Sequence, residues 1–362
     1  MRIFYDGFIY QEQVSGGINR YFANVIKRLP VDWVPLLTTC QSRAVNYPTH
    51  QNLRVFKFKR RRPLRVTYRM EKYFFRGVTS ALDFDVAHPT YYSLLTRREL
   101  SSYQRPVVLT VWDMIHELFP QYFADSEEVA FQKRKAIEAA QAIICISQNT
   151  KKDLLERYAL PADRVSVTHL ASEIDESLSH GSEPVPERPY FIYVGARQGY
   201  KNFARLLEAF SNIASRRPEV QLVTVGEPFT PAEARAIADH KVLERVSSYN
   251  QISDAHLAKL YRCSLALIYP SLYEGFGIPP LEAMMCGTAV IAANSSSLPE
   301  VIGNAGLLFN PQSTDDLADL LLLVIDDPTE RERLIERGRI RAQAFSWNQT
   351  AAQTHNIYRS MV

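Results

Sequence analysis

Cysteine is scarce and scattered: the chain of 362 residues holds four, Cys40, Cys145, Cys263 and Cys286. No two of them fall at a metal-binding spacing, so neither a disulfide framework nor a zinc site organises the fold. Cys145 and Cys263 sit among apolar neighbours and read as small core residues. Long apolar runs are missing as well. A membrane-spanning helix needs about 18 consecutive apolar residues. The longest run here, Leu320 to Ile325, is bounded by Asp319 and Asp326. Met1 to Asp6 begins as a strand, without the basic-then-apolar order of a signal peptide. These absences set the expectation of a cytoplasmic protein. No self-similarity recurs at roughly 20–50 residues, which excludes a repeat architecture. No strand carries Gly-x-Gly-x-x-Gly, which argues against a dinucleotide-dependent oxidoreductase.

What is present is the composition of an ordinary globular protein, 46% hydrophobic and 22% charged, long enough for two domains of ~100–200 residues each. Short β-branched runs alternate with longer helical patterns, the sign of parallel strands joined by crossover helices. The first series is Arg2–Tyr5, Asp32–Leu37, Leu53–Phe58, Val86–His88, Val107–Val111, Ala142–Ile146 and Val165–Thr168, with a helix over Thr150–Tyr158. The second is Tyr190–Val194, Gln221–Val225, Val246–Tyr249, Leu265–Ile268 and Ala289–Ala292. Two such series predict an α/β chain of two Rossmann-like domains, residues 1–175 and 190–345. Ser172 to Pro189, rich in Ser, Glu and Pro, reads as the linker. Residues 346–362 read as a terminal helix.

Two stretches carry chemistry. Ser271-Leu272-Tyr273-Glu274-Gly275-Phe276-Gly277-Ile278-Pro279-Pro280-Leu281-Glu282 follows the apolar strand Leu265–Ile268. Its glycines let backbone approach a ligand, and its prolines suit a first helical turn. A strand, a glycine turn and a helix N-terminus together favour an anion such as phosphate. Glu274 and Glu282 are acceptors suited to sugar hydroxyls, although either alone would serve as a solvated or dipole-complementing carboxylate. In the second stretch, Tyr193-Val194-Gly195-Ala196-Arg197-Gln198-Gly199-Tyr200-Lys201, a strand ends at Gly195. Arg197 and Lys201 then emerge where open α/β sheets bind ligands, and two cations there suit a diphosphate.

These motifs resemble the retaining glycosyltransferases of family 4, of the GT-B fold, over nearly the whole chain. Gly16-Gly17-Ile18-Asn19-Arg20-Tyr21 is similar to the family's N-terminal glycine loop and helix. Ile146-Ser147 through Asp153-Leu154 is similar to its serine, basic-pair, Asp-Leu segment, and Glu274 to Glu282 to its Glu-x7-Glu element. Ile252-Ser253-Asp254, Ser297-Leu298-Pro299-Glu300-Val301, Asn304-Ala305-Gly306 and Phe345-Ser346-Trp347 complete the match.

The resemblance implies two domains facing across a cleft, with the terminal helix crossing back to the N-terminal domain. It implies a sugar moved from a nucleotide-diphosphate sugar to an acceptor hydroxyl with retention of configuration, in cell-surface polysaccharide or glycolipid assembly. No metal and no cofactor are implied. Glu282 would bind the ribose, and Glu274 the donor sugar, with the N–H groups of Phe276, Gly277 and Ile278 nearby. Arg197 and Lys201 would hold the diphosphate, backbone at Gln251 and Ile252 would meet the base, and Gly16-Gly17 would close over the phosphates. Relatives with a similar Asp-Met/Leu-Ile stretch often use GDP-mannose. The family's strand ending in His-Asp stands here as Val107 to Asp113 with Trp112 in the histidine's place. The histidine contact is therefore not carried over. Asp113 is retained and would act in its stead, with His116 as an alternative; His88, from its place at the end of Asp85-Val86-Ala87-His88, is expected to point towards the cleft as a further substrate contact. Two other readings stay open: a nucleotide-sugar epimerase of the same fold, and a non-catalytic nucleotide-sugar-binding subunit suggested by Trp112.

The net charge of +3 is unevenly spread. Residues 54–76 hold ten Lys or Arg against Glu71 alone, interleaved with aromatics. Such a stretch suits the anionic inner face of a membrane or a lipid-linked acceptor as well as it suits a connection whose aromatics are core. Nucleic acid is disfavoured, because no binding module accompanies it.

Overall fold

The computed structural model describes all residues except 14–15, 41–45 and 63. The chain divides into two compact units, Met1–Leu170 with Trp347–Val362, and Ala171–Ser346.

In the first unit, strands β1 (Arg2–Asp6), β2 (Val34–Cys40), β3 (Arg54–Phe58) and β4 (Val86–Ala87) pair in the order β3-β2-β1-β4. β5 (Val108–Val111), β6 (Ala142–Cys145) and β7 (Val165–Val167) pair in sequence, and a parallel bridge from Ala87 to Val107 joins the two groups. All pairings are parallel. Parallel strands covered on both faces read as continuous apolar runs, and β5 and β6 are buried at every position. The longer helices are α1 (Gly17–Lys27), α2 (Leu64–Ala81), α3 (Ser126–Ala139) and α4 (Gln148–Arg157). Ser147 caps α4 by accepting the Thr150 N–H at 3.0 Å.

The second unit carries one six-stranded parallel sheet in the order β10-β9-β8-β11-β12-β13. Its strands are β8 (Tyr190–Val194), β9 (Gln221–Val225), β10 (Val246–Tyr249), β11 (Leu267–Tyr269), β12 (Val290–Ala293) and β13 (Leu307–Phe309). The edge strand β13 is absent from the sequence reading, because three apolar residues carry no periodicity. Helices are α5 (Phe203–Ala214), α6 (Pro231–Asp239), α7 (Asp254–Cys263), α8 (Ile278–Met285), α9 (Leu298–Ile302), α10 (Thr314–Asp326) and α11 (Pro328–Ala342). In both sheets the order reverses once, between β1 and β4 and between β8 and β11. Ligands of open α/β sheets bind outside the strand ends at such a reversal.

Two expectations change. Ser172–Pro189 is not a bare linker: Lys259 of α7 donates to the carbonyls of Gly181 and Glu183, both at 2.7 Å, and Arg262 reaches Ser179 and His180. Its backbone is tied down by long side chains from α7, which local composition does not show. Cys263 is exposed at the end of α7 rather than buried. The last helix, α12 (Trp347–Arg359), packs within the first unit. Thr350 donates to the His169 carbonyl at 2.6 Å, and Trp347 lies edge-on to Tyr21.

Candidate active site

The reversal in the second sheet gathers the two motif loops. After β8 the chain turns through Gly195, whose φ of +129° favours glycine, and after β11 it enters Pro270 to Gly277. Asn202, itself left-handed at φ +57°, staples the loops by donating to the carbonyls of Pro270 (3.1 Å) and Pro311 (2.9 Å). The Leu272 N–H donates to the Tyr200 carbonyl at 2.8 Å. Three consecutive serines hold the second loop from behind. Ser295 donates to the Ser271 carbonyl, Ser296 accepts the Glu274 N–H, and Ser297 donates to the carbonyls of Glu274 and Phe276, all within 2.9 Å. Gly277 then starts α8 at φ +102°, where a Cβ would stand 2.8 Å from Leu298. Phe276 and Gly277 are buried, and Ile278 is partly so.

Lys201 and Glu274 meet in this turn. The ammonium donates to Oε1 at 2.7 Å, and the side chains are only 15% and 12% exposed. Burial pulls the Lys201 pKa down, but the Glu274 carboxylate and Tyr200 outweigh it, so the pKa lies above its ordinary value. Tyr269 shares the enclosure, and burial, then Glu274, raise its pKa. An ion pair so enclosed holds both charged groups in place without solvent reorganisation.

Glu282 lies in the second turn of α8, buried, accepting from Ser172 at 3.3 Å and Tyr261 at 3.2 Å. Arg197 is held apart from the Lys201–Glu274 contact. Its Nε donates to Glu233 at 2.8 Å, its Nη2 donates to the carbonyls of Glu227 (2.7 Å) and Pro228 (3.0 Å), and its Nη1 is buried without a partner. Burial works against ionisation of Glu233, but Arg197 and the Thr230 backbone outweigh it and lower its pKa. Burial first, then Glu274, Arg197 and Glu233, shift the Tyr193 hydroxyl, so these groups share one neighbourhood. Gln251, at φ +52°, and Ile252 form the turn between β10 and α7.

The remaining expected residues lie in the first unit. Gly16 precedes α1 in extended backbone and Gly17 begins it. Asp113 follows β5, its Oδ1 accepting the Ile115 N–H at 3.0 Å. Trp112 is core, edge-on to Tyr21 at 5.1 Å. His116 is half-buried against Phe123. His88 is corrected: it is fully buried, with Nδ1 bonded to Tyr358 of α12 at 2.5 Å and Nε2 to Thr110 at 2.9 Å. Both nitrogens are engaged, and burial lowers its pKa to about 3, so it is a neutral structural link rather than a substrate contact.

Sequence reasoning missed Ser172, Tyr261, Glu233 and the three serines. Only Glu233 carried a local signal, because Thr230-Pro231-Ala232-Glu233 is a capping-box pattern and forms that box here. Among the described residues no group of three or more His, Cys, Asp or Glu is arranged to hold a metal ion, and no helix is long and apolar enough to cross a membrane.

Residues 175–341 match the family described as glycosyl transferases group 1, and residues 15–176 match glycosyltransferase family 4. O-antigen chain mannosyltransferase B of Escherichia coli is 28% identical over 95% of this chain and 96% of its own length. MMP alpha-(1->4)-mannosyltransferase of Mycolicibacterium hassiacum is 33% identical over 65% of this chain and 57% of its own. Sucrose-phosphate synthase of Thermosynechococcus elongatus superposes with a TM-score of 0.78 at 22% identity, covering 99% of this chain and 98% of that one. Anabaena HepE, solved with UDP-glucose, superposes at 0.71 and 18% identity, covering 98% and 99%.

Proposed function

This chain belongs to the group 1, family 4 glycosyltransferases of the GT-B fold, and from that membership we propose that it transfers mannose from GDP-mannose to an acceptor hydroxyl with retention of configuration. The assignment to polysaccharide or glycolipid assembly, and to mannose, is supported by the mannosyltransferases among its relatives. The observation that carries the reading is the enclosed Lys201–Glu274 pair at the sheet reversal. Lys201 stabilises the diphosphate as the bond from its oxygen to the sugar C1 breaks. Glu274 orients the sugar through a hydroxyl. The acceptor oxygen bonds to C1 on the same face, and its proton passes to the departing phosphate oxygen. Glu282 takes the ribose hydroxyls. Arg197 reaches the phosphates by leaving Glu233. The reaction needs no metal in this scheme, because side-chain cations carry the charge.

The acceptor is a saccharide, presented on a lipid at an anionic membrane surface. Helix α2 supports this placement. Val66, Met70, Tyr73 and Phe74 fall on one helical face and are exposed, Met70 and Tyr73 at 58% each. Arg65, Arg69, Lys72 and Arg76 flank them, while Thr67, Glu71 and Phe75 are buried on the opposite side. Basic residues near an anionic surface contribute about 1 kcal/mol each.

The test is incubation with labelled nucleotide sugars, with and without bacterial membrane lipid, followed by NMR of the product's anomeric centre. The expected result is lipid-dependent transfer from GDP-mannose giving an axial linkage, lost in Glu274→Ala. Conversion of donor without acceptor would identify an epimerase, and binding without turnover a non-catalytic subunit.

A further inference from the structure

The first sheet has its own reversal, between β1 and β4, and the residues leaving those strands form a rigid, partly exposed surface. The Thr90 N–H and hydroxyl both donate to the Asp6 carbonyl, at 3.0 and 2.7 Å, and the Ile9 N–H donates to Thr90 Oγ1 at 3.1 Å. These bonds lock the loop after β4 onto the loop after β1. They bring Phe8 and Tyr91 into a nearly parallel pair, centroids 6.1 Å apart and planes 9° from parallel, each ring half-buried. Phe8 rests on the buried cluster of Cys40, Phe75 and Leu95.

The turn after β5 adds carboxylates. Lys133 of α3, 1% exposed, donates to the Asp113 carbonyl at 2.9 Å and to Glu117 Oε2 at 2.8 Å. Glu117 is 8% exposed, and its other oxygen, Oε1, is buried without a partner, as is Nδ1 of the adjacent His116. A buried acceptor left unpaired costs free energy that a bound donor would recover. Tyr92 packs on Tyr91 with ring centroids 4.7 Å apart, accepts the Trp112 N–H at 3.2 Å and lies 5.5 Å from the Lys133 ammonium, so the aromatic pair stands beside the turn that carries Asp113 and Glu117. Burial first, then these carboxylates, push the Tyr91 hydroxyl pKa up. An aromatic face beside hydroxyl-accepting carboxylates suits a neutral sugar ring, and the same carboxylates repel a phosphate.

We propose that the Phe8–Tyr91 pair, with Asp113 and Glu117, forms the subsite for the acceptor's terminal sugar, and that this sugar is neutral. The inference rests on the transferase reading and names the acceptor class for it. One ring face stacks on Tyr91, while hydroxyls of the sugar donate to Asp113 and to the unpaired oxygen of Glu117.

Saturation-transfer NMR with methyl α-mannopyranoside and methyl α-glucopyranoside tests it on the full chain, beside calorimetric binding of GDP-mannose. The wild type should transfer saturation to the ring protons of at least one glycoside. Tyr91→Ala and Glu117→Gln should weaken that binding about tenfold, Tyr91→Phe should retain it, and donor affinity should be the same in all four proteins. No contact with either sugar in the wild type, or unchanged contact in Tyr91→Ala and Glu117→Gln, overturns the subsite. Failure of donor binding counts instead against the transferase reading, so the two can fail separately.

Discussion

The Lys201–Glu274 pair offers a perturbation in which stability and catalysis separate. Lys201→Met leaves the Glu274 carboxylate enclosed without its cation, and Glu274→Gln leaves the ammonium likewise. Breaking a buried pair from one side costs ~3–5 kcal/mol, and the residual exposure of both side chains places these variants toward the lower end. Replacing both partners by neutral groups of similar size removes the uncompensated charge and is often near neutral. The double variant should therefore recover most of the melting temperature lost by either single one. Activity should not recover. Loss of a preorganised group that meets transition-state charge costs ~10²–10³ in kcat, and the double variant lacks both the cation proposed for the diphosphate and the acceptor proposed for the sugar. Thermal denaturation by circular dichroism and initial rates with GDP-mannose read the two effects. A double variant turning over within about threefold of wild type would refute the catalytic role, and one no more stable than the single variants would refute the electrostatic account.

Glu233→Gln should weaken the hold on Arg197 and change donor affinity while leaving β-sheet content intact, as read by calorimetry and circular dichroism; an unchanged dissociation constant would show that Arg197 does not reach the phosphates. Met70→Asp with Tyr73→Asp should abolish flotation with phosphatidylglycerol vesicles and leave soluble-acceptor turnover unchanged; persistent flotation would remove α2 as the contact. The His88 pKa, lowered to about 3 by burial, makes the unfolded chain bind a proton that the folded chain refuses. Its contribution to stability is present above the ordinary histidine pKa of ~6.5 and is lost as pH falls from there towards 3, at up to ~1.4 kcal/mol per pH unit. Asp6, raised to about 7 by burial, acts oppositely, losing stability as pH rises from ~4 to 7. The difference between wild type and His88→Gln isolates the histidine: the wild type should lose melting temperature more steeply below pH 6, and parallel curves would contradict the buried network.

The strands after which ligands bind could be read in advance because each ends an apolar run at a turn: β8 at Gly195 and β11 at Tyr269, just before Glu274. The Glu274–Glu282 spacing likewise declares itself locally, being one short turn plus the start of a helix. What failed were features whose partner lies far along the chain. His88 ends a strand and looked available, yet Tyr358, 270 residues later, occupies it. Ser172 looked like linker, yet it lies against Glu282, 110 residues on. Arg197 and Lys201 are four positions apart but diverge, because Glu233 of α6 holds one and Glu274 the other. Hydrophobic period and turn chemistry describe near neighbours, and nothing in them ranks competing long-range partners.

The second unit should bind a nucleotide-diphosphate sugar at its sheet reversal, and thermal denaturation with and without GDP-mannose, UDP-glucose and the free nucleotides addresses that most directly. A ligand at a hundred times its dissociation constant stabilises by ~2.7 kcal/mol, which raises the melting temperature measurably. One nucleotide sugar should do so in the wild type, and Glu282→Ala, matched to its own unliganded baseline, should lose most of the rise. No shift with any nucleotide sugar, or an equal shift in Glu282→Ala, would contradict the site.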